Sequence, residues 1–206
     1  MFSSILAGIS ETDNIMPYLA AMIAQTLKEN KKVVFFLLRF LSVFGGFSLL
    51  YAVWIKSYGL EADPFSWFVG YNLQGLLGSE NLRLYPIEGY AAIGLDYLGS
   101  NSVSLFEGCN GIAVFILFFA FVFAFKGRWS DLIWFVPLGI VVIHLFNLAR
   151  LVALIMLAEQ GHDALFHFMH KYLFSLVIYA GVFLMWVFWV RLALKRNKQK
   201  ANENPA

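Results

Sequence analysis

The chain has 206 residues, of which 60% are hydrophobic and 18% aromatic while only 14% are charged. That mix excludes an ordinary water-surrounded domain and makes lipid the solvent, as in an integral membrane protein. The formal net charge of +2 gives no ground for a nucleic-acid partner, and in such a chain the distribution of Lys and Arg is more informative than their sum.

Residues 1–30 lack the pattern of a cleaved signal peptide: no Lys or Arg precedes Lys28, and Ser10, Glu11, Thr12 and Asp13 interrupt the apolar stretch. From Ile15 to Leu27, Met16, Leu19, Met22 and Ile23 recur at helical spacing, with Asn14 placed to cap and Pro17 in the first turn. This predicts a short amphipathic cytoplasmic leader.

Crossing about 30 Å of hydrocarbon takes 18 or more mainly apolar residues at about 1.5 Å each. Val33–Ile55, Leu132–Ala158 and Leu173–Leu194 qualify; Gly111–Phe125 is a little short, and extended back through Asn110 and Cys109 it reaches 17 residues, the lower limit for a span. The reading is an all-α integral membrane protein, a bundle of about four transmembrane helices near residues 33–55, 109–125, 132–158 and 172–194. Gly45-Gly46 in the first span predicts close approach of a neighbouring helix. Trp129, Trp134, Trp186 and Trp189 read as anchors and packing.

The connection from Lys56 to Gly108 is too long for a turn. Pro64–Leu77, rich in Phe, Trp, Tyr and Leu, predicts an extracytoplasmic interfacial helix. Roughly Tyr90–Leu105, around Gly99-Ser100-Asn101, predicts a small β-hairpin that delivers the chain to Glu107 and Cys109.

Lys28, Lys31, Lys32, Lys126, Arg128, Lys195, Arg196, Lys198 and Lys200 all fall on one side of four spans, whereas seven of the acids fall on the other. Both termini are therefore expected in the cytoplasm. Residues 31–194 form the transmembrane domain and 195–206 a basic tail. Arg39 and Arg191, near the cytoplasmic ends of their spans, are placed to snorkel.

Polar side chains inside a span are costly, so His144, Asn147 and Arg150 need an account. Spaced three apart, they form one stripe on a helix. Depth adds a second constraint. Cys109 lies 17 residues from Lys126, Arg150 lies 19 from Asp131 and His170 lies 21 from Arg191, rises of about 25, 28 and 31 Å. All three fall at one level, near the extracytoplasmic edge.

Cys109 is the only cysteine, so its uses are packing, metal binding or nucleophilic chemistry. A thiol becomes a useful nucleophile when a cation or base stabilises its thiolate. His170 is the candidate base; Arg150, which keeps its proton, either holds the thiolate or stabilises an oxyanion. A metal site at His162, Asp163, His167 and His170 matches no closed ligand set, and no metal or cofactor is expected. His144 reads as a hydrogen-bonded interior histidine.

Around these residues run Glu107-Gly108-Cys109-Asn110-Gly111, then Asn147-Leu148-Ala149-Arg150, then His170-Lys171-Tyr172-Leu173-Phe174. In this order they resemble the exosortase/archaeosortase family of membrane-embedded cysteine transpeptidases, and more narrowly the short exosortase subtype of Bacteroidota, over about Lys28 to Val190. The resemblance implies that Cys109 is the nucleophile, Arg150 its electrostatic partner and His170 the base, with His167 in reserve and Glu107, Asn110 and Asn147 supporting. It implies membrane-tethered substrates with a C-terminal sorting signal, a thioester acyl-enzyme, transfer to a surface acceptor, and a bacterial inner membrane with the site facing the periplasm. The chain has fewer spans than larger members and an extra amino-terminal stretch. Two other readings stand beside it: a transporter or proton relay through His144, Asn147, Arg150 and His170, and a non-catalytic assembly subunit.

Overall fold

The computed structural model describes Gln25, residues 28–125 and 127–160, Phe166 and residues 168–203. The expected leader at 1–30 falls almost wholly outside these, as do Lys126, His162, Asp163 and His167. Among the described residues three helices are long and apolar enough to cross a membrane: α1 (Lys31–Lys56), α4 (Trp129–Glu159) and the segment Met169–Arg196, most of it in α5 (Phe174–Glu203). The chain is a mostly helical, multi-pass membrane protein.

The second expected span is shorter than the sequence predicts. Helix α3 covers Ile112–Ala124, 13 residues that rise only about 20 Å. Gly111, at φ 93, stops it from running back through Asn110 and Cys109. The Asn110 Oδ1 accepts from the Ile112 backbone N–H at 3.0 Å and caps the first turn. Helix α4, by contrast, continues unbroken past Arg150 to Glu159 despite Pro137.

Between α1 and α3 lie helix α2 (Pro64–Leu77) and strands β1 (Leu82–Pro86), β2 (Ala92–Tyr97) and β3 (Ser100–Phe106). Pro64 occupies the first turn of α2, and the Asp63 carboxylate accepts from the Phe65 and Ser66 N–H groups. The strands form an antiparallel sheet in the order β1-β2-β3, with Leu84 opposite Leu95 and Leu95 opposite Val103. Leu98 and Gly99, both at positive φ, make the two-residue turn between β2 and β3. Strand β1 lies outside the segment expected to form strands.

Two cores result. One joins Val69 and Leu73 of α2 to Leu82, Ile93, Leu95 and Leu105 of the sheet and to Leu148, Leu151 and Ile155 of α4, and it includes Cys109. The other, inside the bundle, joins Phe118 and Val122 of α3 to Phe135 and Ile143 of α4 and to Val182 and Trp189 of α5. Helix α1 packs on α3 and buries none of its residues. Trp189 is fully buried and Trp186 stacks on Phe121, whereas Trp129 is exposed.

Glycine usage departs from expectation. A Cβ at Gly45 or Gly46 meets nothing within 4 Å, so no helix among the described residues packs against them. At Gly139 a Cβ would overlap the Phe118 ring. Gly139→Ala is therefore expected to destabilise the bundle by about 1–3 kcal/mol through overpacking. Gly45→Ala is expected to be neutral or slightly stabilising. Thermal unfolding of the two variants in one detergent checks both.

Candidate active site

Cys109 stands in the turn between β3 and α3, outside the spanning helices. Its N–H donates to the Phe106 carbonyl at 2.8 Å, and only 3% of the residue is exposed. The turn is clamped from α4: Asn147 Nδ2 donates to the Cys109 carbonyl at 2.9 Å, and Asn147 is itself buried. Positive φ at Gly111 sets the chain beside that amide, where a Cβ would lie 3.4 Å from Asn147 Nδ2.

Arg150 lies one helical turn beyond Asn147, and its charge acts on the Cys109 thiol. Two opposed influences act on the sulfur. Burial pushes the Cys109 thiol up from its ordinary value, while the Arg150 guanidinium and a hydrogen bond from the Phe106 backbone to the sulfur pull it down. Burial is the larger, so the resting state is the thiol, held beside the charge that favours its ionised form.

Asn110, the next residue, is fully buried and saturated. While its Oδ1 caps α3, its Nδ2 donates to the Tyr51 hydroxyl at 3.1 Å and lies 3.4 Å from Ser66 Oγ. Ser66 Oγ in turn donates to Asp63 Oδ2, and the Tyr51 hydroxyl lies 3.5 Å from the Glu107 carbonyl. One polar chain thus ties the cysteine turn to α1 and to the start of α2. Glu107 contributes through this carbonyl; the residue itself is exposed.

Tyr51 and Ser66 were not legible as parts of the site. Nothing in an apolar run marks one tyrosine, but Asp63-Pro64-Phe65-Ser66 carries an N-cap signature that fixes the carboxylate and hydroxyl together. Tyr51→Phe is expected to cost about 1 kcal/mol. Asn110→Ala, which removes a fully buried amide and leaves the part-buried Ile112 N–H without its partner, is expected to cost about 1–3 kcal/mol. Unfolding midpoints in detergent give the order.

His144 stacks on Phe68 with ring centroids 5.5 Å apart, and neither buried ring nitrogen has a partner among the described residues. The expected interior hydrogen bond is thus not present among them. His144, Asn147 and Arg150 nonetheless share the face of α4 turned toward α2 and the cysteine turn. His170 belongs to a π-helical turn, Met169–Leu173, at the head of α5, its ring stacked with Phe166 at 5.9 Å and nearly parallel. Such widened turns let a helix re-aim a side chain and recur at functional sites. Among the described residues no group of three or more His, Cys, Asp or Glu is arranged to hold a metal ion.

A family model described as transmembrane exosortase matches residues 87–189, half of the chain, a stretch that takes in Cys109, Arg150 and His170. No curated protein and no solved structure matches the chain.

Proposed function

We propose, from the premise that this chain belongs to the transmembrane exosortase family, that it is a cysteine transpeptidase whose nucleophile is Cys109, charge partner Arg150 and general base His170. The subtype that best fits the chain is the short exosortase of Bacteroidota. The reading rests on one observation above others: a guanidinium 41 positions along the chain acts on the only thiol the chain has. A buried thiol used only for packing has no use for such a charge.

In the proposed reaction His170 takes the Cys109 proton and the thiolate attacks the carbonyl carbon of the scissile peptide bond. Arg150 stabilises the oxyanion. Collapse breaks the C–N bond, and His170 returns the proton to the leaving amine, so a thioester remains on Cys109. An acceptor nucleophile then gives its proton to His170, attacks the thioester and releases the thiolate. Asn147 and Asn110 hold the cysteine turn still while this happens. His167 is the reserve base. The approach of His170 to the sulfur is part of the proposal.

The substrate is a membrane-tethered protein with a C-terminal sorting signal, held by its own span so that the scissile bond lies just beyond the bilayer edge. The topology proposed is four crossings with α3 as the second, both termini in the cytoplasm and the site on the periplasmic face of the inner membrane. The segment between α1 and α3 covers the thiol and excludes water from the acyl-enzyme.

Co-expression with a reporter carrying a tagged C-terminal signal tests this. Expected is loss of the tag together with a hydroxylamine-sensitive adduct on the Cys109 peptide. His170→Ala is expected to lower the yield of both by about 100-fold or more. An intact tag and no adduct with the unaltered enzyme would reject the assignment.

A further inference from the structure

A large cavity lies far from Cys109. A lateral groove of about 1280 Å³ opens between α1 and α5 over the C-terminal end of α3. It exists because, among the described residues, α1 leans mainly on α3 while α5 packs on both α3 and α4. Its floor includes Phe121 and Val190, and its rim carries Lys31, Lys32 and Arg39. Lys32 and Arg39 are seven residues apart on α1, so both side chains project from one face, two turns apart. No carboxylate lines the groove among the described residues. The nearest buried acid of that end of the bundle, Asp131, is already paired with Arg196 at 3.0 Å. A second depression of about 430 Å³ shares Phe121 and Val190 and continues along α5 past Trp186, with Arg191 at its edge.

An apolar slot capped by uncompensated cations matches one chemistry: an acyl chain attached to an anionic headgroup. A partner helix ending in basic residues would meet like charge here, and a zwitterionic lipid would bring a cation to the same rim. We propose that this groove is a binding site for an anionic phospholipid of the leaflet at the basic end of the bundle, its phosphate between Lys32 and Arg39 and one acyl chain along Phe121, Val190 and Trp186. The lipid fills the gap that α1 leaves open. It therefore fixes the tilt of the helix that carries Tyr51 to the cysteine turn.

The full chain, purified in detergent, is titrated with phosphatidylglycerol or with phosphatidylcholine of the same acyl chains, and bound lipid is read by native mass spectrometry. Phosphatidylglycerol is expected to bind more tightly. Lys32→Gln and Arg39→Gln are each expected to weaken it by about five-fold, the usual contribution of one basic residue at an anionic lipid surface, and to leave phosphatidylcholine unchanged. Lys195→Gln, an exposed cation outside the groove, is expected to change neither. Equal binding of the two lipids, or a preference untouched by the paired Lys32→Gln and Arg39→Gln changes, overturns the assignment. So does a photoreactive group at Phe36 that captures a substrate span or a second copy of the chain rather than lipid. None of these readouts depends on peptide cleavage, so the lipid site and the catalytic proposal fail separately.

Discussion

Replacing Cys109 with alanine is expected to stop processing of a tagged, membrane-tethered substrate, a loss of about 10⁴-fold or more, while leaving a folded protein. The size follows from covalent catalysis: without the sulfur no thioester forms, and members of a nucleophile–base unit do not substitute for one another. The survival of the fold follows from the surroundings. Cys109 contributes one small side chain to a core otherwise made of Val, Leu and Ile, and the backbone contacts that hold its turn, Phe106 O and Asn147 Nδ2, do not involve the sulfur. Loss of a single buried sulfur is comparable to other conservative core truncations, about 1 kcal/mol. Anti-tag immunoblotting and a detergent unfolding curve, run on the same preparation, separate the two effects. Normal processing by the alanine variant would remove the thiol from the mechanism. Ion flux through reconstituted protein, unaffected by the same change, would support a transporter instead.

What the sequence reveals here is set by how strongly lipid constrains each residue. Apolar runs of the length a bilayer demands announce α1, α4 and the last crossing, because every backbone polar group there must be satisfied within one helix. The limits of α3 were hidden, since composition alone cannot tell a helical Cys109-Asn110 from a turn; a positive φ at Gly111 and the Asn110 side chain accepting from the Ile112 N–H made the difference. Strand β1 was hidden because Leu82-Arg83-Leu84-Tyr85-Pro86 is too short and mixed to announce a period, yet pairing against β2 and covering by α2 bury Leu82 completely. Counting residues from the basic ends put Cys109 and Arg150 at one depth, and the Arg150 charge acts on the thiol. Counting could not find Tyr51, whose role comes from the way α1 leans on α3 rather than from any local pattern. Nor could it tell that Gly45 and Gly46 face open space, because small residues permit a close approach without requiring one.

Arg150→Gln is expected to lower processing by about 10²–10³-fold and to move the alkylation profile of Cys109 to higher pH. The rate effect is that of losing one preorganised donor to a developing oxyanion. The direction of the pH effect can be worked out from the groups around the sulfur. Burial disfavours the thiolate and lifts the thiol above its ordinary value; the guanidinium, the main opposing influence, favours the thiolate and draws it down. Glutamine keeps the burial and removes the charge, so the thiol must ionise at higher pH than in the unaltered protein. Iodoacetamide labelling in detergent across a range of pH reads this without a substrate. Arg150→Lys discriminates further: it keeps a charge near the sulfur but lacks the planar fork of donors. Its alkylation profile is therefore expected to lie between the other two, with processing nearer to that of the glutamine variant. A labelling profile unchanged by Arg150→Gln would mean that the cation does not act on the thiol, and the Asn147 hydrogen bond would then be the polar link from α4 to the cysteine turn among the described residues.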